Sequence, residues 1–130
     1  MAIQVTIIGL GQIGASIGMA LAQHPDKLFR VGHDKAFNVE REAQKKDAVD
    51  KAEHNLPNAV REAKLVILAL PVTEIRETLG FIAQDLQAGT VILDTAPVKA
   101  EVAKWAKEFL PENCFYIGIV PALAADFFNY

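Results

Sequence analysis

The stretch Gly9-Leu10-Gly11-Gln12-Ile13-Gly14 constrains the chain more than any other, because its three glycines sit between an apolar run and a helical pattern. The run Ile3–Ile8 reads as a buried strand, and Ile13, Ile17, Ala20 and Leu21 share one face of a helix reaching about residue 23. A strand that becomes a helix within a few residues needs a tight turn, which Gly9 permits. Gly11 lets a ligand approach the backbone, and Gly14 lets the helix pack closely on the strand. Gly18 extends the same small-residue face by one turn. The helix start offers free N–H groups and the positive end of a dipole, so the expected ligand is a pyrophosphate.

Further apolar runs read as strands at 28–31, 65–70, 91–93 and 115–120, with a weaker one near 48–52. Continuous rather than alternating runs suggest strands covered on both faces, as in parallel sheets. Helical spacing separates them. Ala36, Val39 and Ala43 mark an exposed helix, and Ile75, Leu79, Ile82 and Leu86 another. Val98, Val102, Trp105, Ala106 and Phe109 mark a third, with Pro97 at its first helical position. Strands alternating with helices imply right-handed βαβ units. The expected fold is an α/β, doubly wound Rossmann domain with six mostly parallel strands in order 3-2-1-4-5-6.

Asp34 closes the second strand in Val31-Gly32-His33-Asp34, about twenty residues beyond Gly14. A carboxylate there accepts the adenosine ribose hydroxyls and repels a 2′-phosphate, so NAD is favoured over NADP. Lys35 beside it offsets part of that repulsion, and a purely local role for Asp34 is to cap the next helix. Ligands in such sheets lie beyond the carboxyl ends of the strands. Leu70, Pro71 and Val72 therefore belong to the expected cleft wall, and Val72 and Ile75 are expected over the adenosine. The predicted cofactor-binding set is Gly9, Leu10, Gly11, Gln12, Ile13, Gly14, Asp34, Lys35, Leu70, Pro71, Val72 and Ile75.

The 130 residues suit one domain spanning 1–130. A net charge of −3 gives no basic footprint for nucleic acid. No apolar run is long enough to span a membrane. The single cysteine, Cys114, fits a reducing, cytoplasmic setting. His24, His33 and His54 are scattered without metal-ligand spacing, so no metal site and no histidine catalyst is expected. Asp94 and Lys99 follow the fifth strand at the nicotinamide end; Asp94 either orients a catalytic group or caps the next helix, and Lys99 either meets an anionic substrate or lies solvated, the cap and the solvated cation being the expected roles. Asp126-Phe127-Phe128-Asn129-Tyr130 is expected to dock on this domain or on a partner, either a second copy or another subunit.

The matching stretches are Val5 to Ser16, Val31-Gly32-His33-Asp34, Leu68-Ala69-Leu70-Pro71-Val72 and Leu93-Asp94-Thr95-Ala96-Pro97-Val98-Lys99. Through them the chain resembles, over nearly its whole length, the N-terminal nucleotide-binding domain of prephenate dehydrogenases, NAD(P)-dependent enzymes of tyrosine biosynthesis. The resemblance implies hydride transfer between nicotinamide and a small hydroxy or oxo acid. It also implies a helical second domain that closes the substrate cleft and dimerises, which would begin about where this sequence stops. Two positions depart from the family pattern. Pro97 stands where members carry a serine, and Val120 where they carry a histidine that assists oxidation of the substrate hydroxyl. Valine has no proton to move, so no general base acts from position 120. No catalytic residue is assigned. The expected activity is dehydrogenase-like, and the alternative is a dinucleotide-binding or sensor module without catalysis.

Overall fold

The computed structural model describes residues 2–119. Its elements alternate as β1 (Ile3–Ile8), α1 (Gln12–Leu21), β2 (Leu28–His33), α2 (Phe37–Lys45), β3 (Lys51–Ala52) and α3 (Leu56–Arg61). They continue as β4 (Leu65–Leu68), α4 (Val72–Ile82), β5 (Val91–Asp94), α5 (Lys99–Phe109) and β6 (Phe115–Gly118). All strand pairs are parallel, in the order β3-β2-β1-β4-β5-β6. This is the doubly wound topology expected from the alternating pattern.

Each face of the sheet carries its own core. Val60, Ile75, Leu79, Ile82, Val102 and Ala106, from α3, α4 and α5, pack on Ile8, Val66, Leu68 and Ile92. On the other face Ala15, Ala43, Ala48 and Val49 pack on Val5, Ile7 and Ile67. The second core is built from smaller side chains because α1 lies close to the sheet. A Cβ on Gly18 would overlap the Ala48 carbonyl. The face of α1 turned to the sheet is therefore Gly14, Ala15 and Gly18. The expected stripe of Ile13, Ile17, Ala20 and Leu21 is only partly inward: Ile17 and Leu21 pack at the core margin, and Ile13 and Ala20 are exposed.

Other expectations are corrected in detail. β4 ends at Leu68 rather than residue 70, and β3 is a two-residue strand. The short helix α3 was not expected; Asn55 caps it, its Oδ1 accepting the Asn58 N–H at 2.9 Å, and Pro57 sits in its first turn. Pro97 does not open α5, which starts at Lys99 after Val98. β6, read as covered on both faces, is an edge strand with Phe115 and Ile117 exposed.

A buried cation stitches the second core. Arg30 on β2 is 3 % exposed. Its guanidinium donates to the carbonyls of Gly18 and Asp47 at 2.8 and 2.6 Å, and to Asp50 Oδ1 at 3.0 Å. One side chain thereby ties α1, the end of α2 and the approach to β3 to the sheet. The hydrogen bond from Arg30 holds the Asp50 carboxyl below the usual carboxylate range, and the same bond, against the opposing effect of burial, raises the Arg30 guanidinium.

Candidate functional site

The strand registers align His33, Ile8, Leu68, Asp94 and Gly118 as one row along the carboxyl edge of the sheet. Between β1 and β4 the chain departs to opposite faces, into α1 and α4, and a crevice opens at that reversal. It has two lobes. One, of about 360 Å³, is lined by Gly9, Gly11, His33, Asp34, Lys35, Leu56, Leu70, Pro71, Glu74 and Thr78. The other, of about 450 Å³, is lined by Gly11, Gln12, Ile13, Leu70, Pro71, Val72, Thr95, Ala96 and Pro97. Gly11, Ala69, Leu70 and Pro71 line both, so the glycine turn and the end of β4 form the waist of one continuous cleft.

The three glycines of the turn are needed for different reasons. Gly9 has φ +96°, a left-handed conformation that disfavours a side chain, and a Cβ there would overlap the Ala69 carbonyl. A Cβ on Gly14 would overlap the Gly9 carbonyl. Gly11 differs: its φ is −70°, and a Cβ would meet no atom of the described residues within 4 Å. Among the described residues nothing requires glycine at position 11, yet it faces the waist of the cleft. Gly11 is also the N-cap of α1 and supplies no capping side chain. The first bond along the helix runs from the Ala15 N–H to the Gly11 carbonyl at 2.9 Å, so the N–H groups of the first turn are left without a partner in the helix, at the waist of the cleft.

Asp34 braces this turn. Its Oδ2 accepts the Leu10 N–H at 2.9 Å and its Oδ1 accepts the Ala36 N–H at 2.9 Å. A carboxylate has about four lone-pair sites, so both oxygens retain capacity for hydroxyl donors. Lys35 reaches across the lobe to Glu74, 3.3 Å away. That ion pair is largely exposed on the lysine side and is readily opened.

Three of the predicted residues do not present side chains to the cleft. Leu10 is buried in the second core, and its N–H is taken by Asp34. Gly14 lies against Gly9 and acts through packing. Ile75 is fully buried in the first core, inside α4, and has no surface for a cofactor. Helical spacing shows why: Ile75, Leu79 and Ile82 form the inward stripe, so Glu74 and Thr78 face the cleft instead.

Beyond the second lobe, Asp94 is completely buried and caps no helix. Its Oδ2 accepts from Tyr116 Oη at 2.7 Å and from Lys99 Nζ at 2.9 Å, while Oδ1 accepts the Ala96 N–H at 2.8 Å. Lys99 is therefore a partner of a buried carboxylate, not a solvated cation. Burial, and then the bond donated to Asp94, push the Tyr116 phenol well above its ordinary value, so it stays protonated. Gly118 leaves room for this group, since a Cβ there would lie 2.9 Å from Tyr116 Oη. Pro97 is exposed at the same lobe and brings no hydroxyl. Val120 and the terminal aromatics lie outside the described residues.

The histidines are less scattered than the sequence suggests. Glu40 Oε2 lies 3.0 Å from His54 Nδ1 and 3.8 Å from His33 Nδ1. The same oxygen accepts the Asp34 N–H at 3.0 Å. Sequence spacing hid this group, because its members come from the end of β2, the first turn of α2 and the loop after β3.

The reversed strand order, the crevice and the glycine turn define a doubly wound nucleotide-binding domain. Residues 17–125 match the family model described as "Prephenate dehydrogenase, nucleotide-binding domain". The chain belongs to that family. It is 34 % identical over 106 residues to the prephenate dehydrogenase of Lactococcus lactis subsp. cremoris, covering 81 % of this chain and 29 % of the relative. It is 34 % identical over 110 residues to the cyclohexadienyl dehydrogenase of Zymomonas mobilis, covering 84 % of this chain and 37 % of the relative. The chain thus spans about a third of the length of these relatives. Synechocystis arogenate dehydrogenase superposes with a TM-score of 0.79 at 26 % identity, over 89 % of this chain and 40 % of that one. The prephenate dehydrogenase of Aquifex aeolicus, solved with hydroxyphenyl propionate and NAD⁺, has the same fold, with a TM-score of 0.81 at 20 % identity over 92 % of this chain and 41 % of that one.

Proposed function

We propose that this chain is the NAD-binding part of a prephenate-dehydrogenase-like oxidoreductase, acting on a small hydroxy or oxo acid. The observation that carries the reading is Gly11. It is the one glycine of the turn that neither backbone conformation nor packing among the described residues requires, and it stands at the waist of the cleft. A ligand backbone approaching there gives its missing side chain a purpose. The pyrophosphate lies on the start of α1, the adenosine ribose against Asp34, and the nicotinamide in the lobe lined by Gln12, Ile13, Val72 and Thr95. NAD is preferred to NADP because Asp34 and Glu74 put two carboxylates beside the ribose, against the single cation of Lys35.

When bound, the nicotinamide supplies the hydride acceptor. The chain's own residues bind it, orient it and wall it from water. The proton-accepting group of an oxidation does not come from position 97 or 120, where proline and valine stand. The remaining machinery comes from a further segment or a partner, such as a second copy. Its docking place is beside β6, where Phe115 and Ile117 are 58 % and 50 % exposed. Among the described residues no helix is long and apolar enough to cross a membrane, and a cytoplasmic setting accords with the free thiol of Cys114. Calorimetric titration of the purified chain with NAD, NADH and NADP tests the reading. NAD or NADH binding at one site, at least about tenfold tighter than NADP, is expected, given roughly 1.5–3 kcal/mol for hydrogen bonds to a charged group. Absence of dinucleotide binding would overturn it.

A further inference from the structure

We propose that His33, Glu40 and His54 form a binding site for one divalent transition-metal ion of the zinc type, separate from the dinucleotide cleft but sharing a wall with it. One donor atom from each of the three residues lies within 4.8 Å of the other two. A tetrahedral ion bound at about 2.0–2.2 Å places its donors roughly 3.3–3.5 Å apart. The two distances to Glu40 Oε2, 3.0 Å from His54 Nδ1 and 3.8 Å from His33 Nδ1, bracket that spacing. Closing donors that lie within 4.8 Å of one another onto that spacing needs the His54 ring to slide within its plane, and His54 lies on a loop with its side chain 38 % exposed. Two imidazoles and one carboxylate are the donor set that suits such an ion and leave a fourth position for water.

The surroundings favour a cation. Glu40 is only 4 % exposed, and among the described residues its charge meets no lysine or arginine, only the two histidines. A buried anion is costly without a compensating positive charge. The ring of Phe37 stacks on His54 with centroids 3.7 Å apart and fixes its plane. The Glu53 carbonyl lies 3.1 Å from His33 Nδ1, so a cation bound at that nitrogen takes the place of this contact. The ion would tie β2, α2 and the β3–α3 loop together. Because Glu40 also accepts the Asp34 N–H, the site sits directly behind the ribose carboxylate.

The test is titration of the full-length, tag-free chain with zinc chloride by calorimetry, and with cobalt chloride by visible spectroscopy, without dinucleotide. One equivalent of zinc and a tetrahedral cobalt band are expected. Glu40→Gln and His54→Ala should each weaken binding at least about tenfold. His24→Ala and Cys114→Ser should leave it unchanged. If Glu40→Gln fails to fold by circular dichroism, His54→Ala, a partly exposed loop substitution, decides alone. Absence of zinc binding in the wild type, equal binding by His54→Ala, or loss of binding in Cys114→Ser would each overturn the proposal.

Discussion

Gly11 and Gly14 lie three residues apart in one turn, and substitution separates what they do. A Cβ at Gly11 meets no atom of the described residues within 4 Å, so Gly11→Val should keep stability within about 1 kcal/mol, the order of an N-cap change. Dinucleotide binding should be abolished, because the side chain would fill the space proposed for the pyrophosphate. A Cβ at Gly14 overlaps the Gly9 carbonyl, which cannot move aside as a flexible side chain would. Gly14→Ala should therefore cost roughly 1–3 kcal/mol of stability even without ligand. Urea unfolding and calorimetry on the two variants read both effects; a stable Gly14→Ala, or an Gly11→Val that still binds, would contradict the assignment. Asp34 is a mixed case. Its carboxylate braces Leu10 and Ala36 and faces the ribose position. Asp34→Asn keeps one acceptor oxygen but loses the charge, so NAD affinity should fall about tenfold and the gap to NADP should narrow. The position of Asp34 was legible from its distance to the glycines. Its grip on the Leu10 N–H was not, because nothing local in sequence shows which backbone donor a side chain will meet.

At the scale of elements, periodicity revealed what packing alone determines and missed what neighbours determine. The strand cores of β1 and β4 are apolar runs, and the alternation with helices was enough for the strand order. The burial of Ile75 followed from the same stripe that marked α4 as a helix, yet helix position relative to the cleft was needed to place it in the core. The inward face of α1 was misread because glycine and alanine carry little apolar signal, although close approach to the sheet selects them. α3 is too short for a repeat to show, and its evidence was the Asn55 cap with Pro57. The sequence singles out nothing about Arg30; only the fold brings α1, the end of α2 and Asp50 around it. This junction has a pH signature. The Asp50 carboxyl titrates lower in the folded chain than in the unfolded one, so the unfolded state binds more protons in acid. Its contribution is fully present above the ordinary aspartate value of about 3.9 and is lost as pH falls through the depressed folded value. Denaturant unfolding across that range should show stability falling with acid, and the fall should be shallower in Asp50→Asn. An identical acid limb in both proteins would show that the Arg30 pair is not the source.

For the molecule as a whole, the two cores meet only through the sheet, and the cleft runs along the edge where both are anchored. The waist joins the end of β1, through Gly9 and Gly11, to the end of β4, through Ala69, Leu70 and Pro71. The two walls lead into opposite layers, α1 with the smaller core and α4 with the larger. A ligand held by both walls is bound by the native arrangement and not by the unfolded chain, so its binding energy adds to the stability of the entire domain. At free NAD one hundred times its dissociation constant, that addition is about 2.7 kcal/mol. For a domain of this size it corresponds to a rise in melting temperature of roughly 10 °C. Scanning calorimetry should show a single transition that moves upward with NAD, less with NADP, and not at all in Gly11→Val. If NAD instead split the transition in two, the walls would be independent units, and the cleft would not bridge the layers as the structure places them.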